Sequence, residues 1–296
     1  MRGRIPISPS TRPFAVLGHP VSHSLSPLMH NANFNALGMD AVYLAFDVQP
    51  RHLLETLRAM WRMGFGGVNI TVPLKQTAYA GIRHLDVSAR RMGAVNTVAF
   101  AAGGMTGYNT DGDGFLMALR EEFGTGIAGL SVFILGAGGA GRAVAIAAAS
   151  EKAARIVLSD VDRPKAERLG RELERMFRNC RVTVEPPAEG AWRRASLEAD
   201  IVVQATPVGM KPGEKSLLPP DSFRSGQMVF DLIYMYPKTP FLKAAARAGA
   251  RTANGLGMLL HQGAKAFTIW TGKNAALNVM RRTLETAVYG RGGQAR

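Results

Sequence analysis

Short β-branched runs alternate along the chain with longer stretches rich in Ala, Leu and Arg, and Gly and Pro separate them. Runs of the first kind read as buried strands and the second as amphipathic helices, so the alternation predicts α/β units with largely parallel sheets. The expected strands of the first part are Phe14–Leu17, Ala41–Phe46, Gly67–Val72 and Thr97–Phe100, with helices over Pro27–Leu37 and Pro50–Met63. A glycine-rich turn over Gly107–Gly114 precedes an apolar segment of helical spacing, Phe115–Phe123. Beyond it the pattern predicts strands at Ser131–Leu135, Arg155–Asp160, Val182–Val184, Asp200–Ala205 and Gln227–Leu232. Helices fall between them, up to about Ser150 and over Arg163–Phe177, a doubly wound nucleotide-binding order. From Leu256 the pattern is helical with no further strand, ending in RGGQAR, which is expected to be loose.

The expected organisation is an α/β substrate domain of residues 1–110 and 255–296 and a Rossmann-like dinucleotide domain of residues 111–254, with a cleft between them.

With 296 residues and 47% hydrophobic content, the chain can bury a full core, which excludes disorder and a disulfide-stapled miniprotein. Its one cysteine, Cys180, excludes an internal disulfide and any multi-cysteine metal site and fits a reducing compartment. The first 14 residues carry bases without the apolar run of a secretory leader, so a cytoplasmic location is expected. The apolar stretch Val132–Ala149 contains four glycines and Arg142 and reads as strand plus helix, not as a membrane span. The formal charge is +14, of which +12 lies in residues 1–100 and 251–296. No dense basic run interleaved with aromatics is present, so nucleic acid is not the expected partner. The charge is expected instead to draw an anionic carboxylate and a dinucleotide.

The strongest single motif is Gly136-Ala137-Gly138-Gly139-Ala140-Gly141, which follows the strand VFIL and opens an Ala-rich helix. Gly136 allows the tight turn, Gly138 a close approach of backbone to pyrophosphate, and Gly141 tight helix-on-sheet packing, with the helix N-terminus offering N–H groups to phosphate. Asp160 ends the next strand, 24 residues after Gly136, where it either accepts hydrogen bonds from a ribose diol or caps the following helix. Asp162 competes for the capping role. A carboxylate at the ribose repels a 2′-phosphate and favours NAD, whereas Arg163 and Lys165 could attract one.

In the first region polar groups cluster in GHPVSHSLSP (Gly18–Pro27), NITVPLK (Asn69–Lys75), GAVNT (Gly93–Thr97) and NTDG (Asn109–Gly112). Lys75 is expected just past a strand end and Asp111 in a glycine-flanked turn. A carboxylate and a lysine there could share a proton-transfer task at a reacting hydroxyl. His19, His23 and His30 lack the acidic or cysteine partners of a metal site, so no metal is expected. Met210, Met228, Met235 and Met258 read as core filling, Met258 having a second candidate role, and Phe267 and Trp270 as packing groups.

Together these blocks, with ATPVGM (Ala205–Met210), DLIYMYPKTPFL (Asp231–Leu242) and NGLGMLLHQGAKAF (Asn254–Phe267), resemble the shikimate dehydrogenase family from Phe14 to about Ala287. The resemblance implies reversible hydride transfer between a nicotinamide and C3 of the shikimate ring. It implies Lys75 and Asp111 as the catalytic pair, and Ser24, Ser26, Thr71, Asn96, Tyr234 and Gln262 on the substrate. Gly255 and Met258 would lie near the nicotinamide. The family default is NADP, held by an Asn-Arg-Thr-like cluster where this chain reads Asp160-Val161-Asp162-Arg163. That departure resembles the NAD-using quinate/shikimate branch. Alternatives are a quinate or aminoshikimate dehydrogenase and, outside enzymes, a dinucleotide-binding regulator; a monomer or homodimer is expected.

Overall fold

The computed structural model describes residues 6–290, so the terminal RGGQAR lies outside the described residues. The chain divides into two compact units, the first running to Thr110 and resuming at Leu260, the second spanning Asp111–Leu259.

The first unit contains β1 (Arg12–Gly18), α1 (Ser26–Ala36), β2 (Ala41–Asp47), α2 (Leu53–Arg62), β3 (Gly67–Ile70), α3 (Lys75–Gly81), β4 (His84–Leu85), α4 (Val87–Met92), β5 (Thr97–Ala101) and β6 (Gly104–Tyr108). Its sheet has the order β2-β1-β3-β5-β6-β4. β1 pairs in parallel with β2 and β3, whereas β5 runs antiparallel to both β3 and β6. The sheet is therefore mixed, both of its antiparallel pairings being made by β5. β5 and β6 form a hairpin in which Ala101 pairs with Gly104, itself at φ +123°. The GMTGY run of β6 was hidden by its two glycines, so the turn expected from Gly107 is strand as far as Tyr108. β3 stops at Ile70, two residues short of the expected Val72, because Pro73 brings no N–H to a ladder. One face of the sheet packs on Leu53, Leu57 and Met60 of α2, spaced i, i+4, i+7. The other packs on Phe34, Phe267 and Trp270.

The second unit contains α5 (Asp111–Phe123), β7 (Ser131–Leu135), α6 (Gly139–Ser150), β8 (Arg155–Ser159), α7 (Arg163–Met176), β9 (Arg181–Val184), α8 (Glu189–Glu198), β10 (Ile201–Gln204), β11 (Met228–Asp231), α9 (Pro240–Arg247) and β12 (Arg251–Asn254). α10 (Leu256–Thr271) and α11 (Leu277–Tyr289) complete the described chain. The second sheet is parallel throughout, in the order β12-β11-β10-β7-β8-β9. Numbered within this unit it is 3-2-1-4-5-6, the doubly wound arrangement whose strand order reverses beside its first strand. α8, α9 and β12 were not legible as separate elements; each is short. Met210 and Met235 are exposed, at 46% and 47%, which corrects their reading as core filling. Both lie in loops beyond strand ends, where the Tyr236 hydroxyl reaches the Met210 carbonyl at 3.3 Å.

Candidate functional site

In the first unit the parallel pairing of β1 with β3 places the segments that follow them side by side. The Thr71 N–H donates to Leu17 O at 2.8 Å and His19 N–H to Val72 O at 3.1 Å. Gly18 is required at this crossing, since a Cβ there would come within 2.5 Å of the Thr71 methyl. Ile70 N–H donates to Asn96 O at 2.8 Å, and Val95 N–H to Lys75 O at 3.0 Å. Thr71, Lys75 and Asn96, from separate sequence blocks, thus gather at one end of the sheet. Ser24 belongs to the loop that leaves the same end of β1 and Ser26 opens α1 after it, Ser26 N–H donating to Ser24 Oγ at 3.3 Å. Lys75 is the first residue of α3, not a residue of an open loop. Gln262 lies on α10, which packs closely on α1: a Cβ on Gly263 would meet Met29 Cε at 2.3 Å.

Around Asn96 lies a buried polar network that the motif reading did not single out. Tyr43 OH donates to Asn69 Oδ1 at 2.6 Å, and Asn69 Nδ2 donates to Thr97 Oγ1 at 3.0 Å. Thr97 in turn donates to Asn96 Oδ1 at 2.9 Å. Asn69 and Thr97 sit inside two of the blocks quoted above, and their inward-facing strand positions were the available signal. Beside the network His30 is fully buried, stacked on Tyr43 with ring centroids 4.4 Å apart, and neither ring nitrogen has a hydrogen-bond partner. Burial alone pushes its pKa down to about 3, so it is neutral in the fold.

In the second unit Asp111 opens α5 and is not in a turn, which corrects its expected setting. Gly112 and Gly114, whose sequence setting suggests a turn, are buried within this helix. The glycine loop has the shape of a phosphate cradle. Gly136 adopts φ +100°, and a Cβ on Gly141 would stand 1.9 Å from Gly136 O. Gly138 precedes the first residue of α6, and Gly139 and Ala140 are exposed at that N-terminus. Asp160 accepts from Ala137 N–H at 2.6 Å and from Asp162 N–H at 2.9 Å. The helix cap is Asp162, which accepts from Lys165 N–H at 3.1 Å, so Asp160 does not fill that role. Arg163 pairs along its own helix with Glu167 at 2.9 Å. Lys165 approaches the loop, with Nζ 4.0 Å from Asp160 and 3.7 Å from the place of a Gly138 Cβ. These residues fit a dinucleotide pyrophosphate: a loop that excludes side chains, open N–H groups at a helix start, and an acidic group at the following strand end.

Tyr234 lies in the loop after β11, where burial pushes its phenol above the usual range and keeps it a hydroxyl. That loop is braced twice. Asp231 accepts from Thr239 Oγ1 at 2.5 Å and from Ile233 N–H at 3.0 Å, and Asn254 donates to Tyr236 O at 3.2 Å. Gly255 is needed where the chain passes the loop, since a Cβ would stand 2.0 Å from Leu232 O. Met258 follows on α10, half-buried.

Residues 16–98 match the shikimate dehydrogenase substrate binding domain, and residues 255–285 the shikimate 5'-dehydrogenase C-terminal domain. A shikimate dehydrogenase (NADP(+)) of Moorella thermoacetica is 46% identical over 286 residues, covering 96% of each chain. One of Methanopyrus kandleri is 43% identical, over 95% of this chain and 97% of that protein. The crystal structure of shikimate 5-dehydrogenase from Listeria monocytogenes, in complex with shikimate and NAD, superposes with a TM-score of 0.89 at 37% identity, covering 94% of this chain and 98% of that one.

Proposed function

This chain belongs to the shikimate dehydrogenase family, and we propose that it catalyses the reversible NAD(P)-dependent reduction of 3-dehydroshikimate to shikimate, in the route to chorismate and the aromatic amino acids. The observation that carries the reading is the gathering of Thr71, Lys75, Asn96 and the segment Ser24–Ser26 at one end of the first sheet, in a chain whose second sheet carries a glycine cradle. A ring bearing a carboxylate and three hydroxyls needs donors and acceptors on several sides, and this residue set supplies them.

Ser24, Ser26 and Tyr234 bind the carboxylate through neutral hydroxyls, while Thr71, Asn96, Asp111 and Gln262 grip the ring hydroxyls. A site that bonds each hydroxyl rejects rings lacking one, because its own polar groups are then left unpaired. Lys75 relays the proton of the reacting hydroxyl, and Asp111 orients both the lysine and that hydroxyl. Residues 136–141, Asp160, Gly255 and Met258 hold the dinucleotide, whose nicotinamide supplies or takes the hydride when bound. The chain's task is to align the two reactants and to manage the proton.

The relatives' names carry NADP(+), yet the stretch Asp160-Val161-Asp162-Arg163 puts two carboxylates where a 2′-phosphate would be held, and its one arginine pairs with Glu167 along the helix. Our reading is that this chain prefers NAD, with Lys165 giving residual use of NADP. The enzyme acts in the cytoplasm as a monomer or homodimer. The deciding experiment is turnover of shikimate and quinate, each with NAD and NADP. Turnover of shikimate well above quinate is expected; quinate preferred with NAD would move the chain to the quinate branch, and no turnover of either would remove the enzymatic reading.

A further inference from the structure

The directions of the hydrogen bonds that link Asn96, Thr97, Asn69 and Tyr43 follow from one atom. The Thr110 backbone N–H, which can only donate, lies 2.8 Å from one end of the Asn96 carboxamide, so that end is Oδ1. Thr97 Oγ1, 2.9 Å from the same oxygen, must therefore be a donor to it. With its proton spent, Thr97 accepts from Asn69 at 3.0 Å, which makes that Asn69 atom Nδ2. The other end of Asn69 is then Oδ1, and Tyr43 OH must donate to it at 2.6 Å. Asn69 Nδ2 also reaches Asn96 O at 3.2 Å, which agrees with the assignment. Tyr43 also shares a hydrogen bond with Ser26. All five side chains lie within 8% of full burial, where reversing a single amide would leave opposed pairs with no water to repair them.

We propose that Tyr43, Asn69 and Thr97 are positioning residues that lock the Asn96 carboxamide with its oxygen turned inward, so that Asn96 meets the substrate only as a hydrogen-bond donor to a ring hydroxyl oxygen. The proposal rests on the reading of shikimate as substrate. Asn96 Oδ1 accepts from Thr97 and from the Thr110 N–H and faces inward, and Nδ2, which donates to Thr110 Oγ1 at 3.0 Å, is the end this scheme turns toward the ligand. None of the three positioning residues touches the ligand in this scheme. Their contribution is specificity: a preset donor accepts an oxygen at that ring position and rejects a group that only donates.

The test is the dissociation constant of shikimate, measured by calorimetry, for Thr97→Val, Thr97→Ser, Tyr43→Phe and Asn96→Ala, and for Thr97→Val combined with Asn96→Ala. Thr97→Val keeps the shape and removes the hydroxyl; it is expected to weaken shikimate about tenfold, with dinucleotide affinity unchanged. Thr97→Ser restores the hydroxyl and is expected to bind within twofold of the parent. In the Asn96→Ala background Thr97→Val should add nothing, because the group it positions is gone. Equal weakening by Thr97→Val with or without Asn96, or unchanged affinity in both Thr97→Val and Tyr43→Phe, overturns the proposal. If Thr97→Val does not fold, Thr97→Ala alone and with Asn96→Ala carries the same comparison. Failure of the parent protein to bind shikimate would instead overturn the functional reading, and with it the ligand named here.

Discussion

The Asp160 carboxylate accepts a 2.6 Å hydrogen bond from the Ala137 backbone N–H, so the acidic side chain expected at the ribose also holds the glycine loop in shape. Replacing it with alanine therefore acts twice. Asp160→Ala should weaken NAD at least tenfold through the loosened loop and lost ribose contact. It should hurt NADP less, since a like charge near the 2′-phosphate disappears. The ratio of kcat/KM for the two dinucleotides is the readout. A parent enzyme that prefers NADP by a large factor would sink the role assigned to Asp160. Val161, at 82% exposure beside it, offers the converse test: Val161→Arg should raise NADP use.

Lys75 and Asp111 each open a helix, α3 and α5, so their backbones are fixed by regular structure rather than by loops. Lys75→Ala is expected to lower kcat by about 10²- to 10⁴-fold, the usual worth of a positioned proton-transfer group. Shikimate affinity should stay within a few-fold of the parent. Asp111→Asn should lower both, because in our reading it binds and orients the same hydroxyl. Unchanged turnover in Lys75→Ala would exclude the lysine from the chemistry.

Two buried groups give stability opposite pH dependences. His30 has its pKa pushed from 6.5 to about 3 by burial, so between those values the unfolded chain holds the extra proton. Stability from this group is complete above about pH 6.5 and is lost on acidification, by up to about 1.4 kcal/mol per pH unit. Asp231 is raised from 3.8 to about 6 by burial, against the bonds from Thr239 and Ile233 that favour its charge. Here the folded chain holds the extra proton, so this contribution is complete below about pH 3.8 and is lost as pH rises through 6. Denaturant melts between pH 4 and 7 should show His30→Phe flattening the acid loss and Asp231→Asn steepening it. The same slope in both variants as in the parent would contradict these shifts.

Gly255 has no room for a methyl group, since its Cβ would stand 2.0 Å from the Leu232 carbonyl. Relief requires backbone movement at the start of the loop that carries Tyr234. Gly255→Ala is expected to cost about 1–3 kcal/mol in chemical denaturation, as overpacking does. It should also raise the KM for shikimate more than that for the dinucleotide. A variant as stable as the parent would mean that the loop shifts without cost.

Long periodic segments were legible from residue order alone: the helix over Arg163–Met176 and the strand–glycine–helix unit at Ser131–Ser150 follow from patterns that repeat over many residues. The short α3, α4 and β12 were not, because a helix of six or seven residues or a strand of four gives too few positions for a period to stand out. β6 was lost for a different reason: glycine usually marks a turn, and only pairing with β5 makes GMTGY a strand.

What residue order determined by itself was chemistry carried by local spacing: the glycine cradle, the acidic residue after the next strand, and the motif blocks that mark the family. Only the tertiary structure decided what depends on partners distant in sequence. It is the fold that turns Asp160 onto the Ala137 N–H and brings Lys165 to the glycine loop. It is also the tertiary structure that joins Tyr43, Asn69, Thr97 and Asn96 into one directed chain. A hydrogen bond's direction is set by what lies at its other end, and strand register supplies that end.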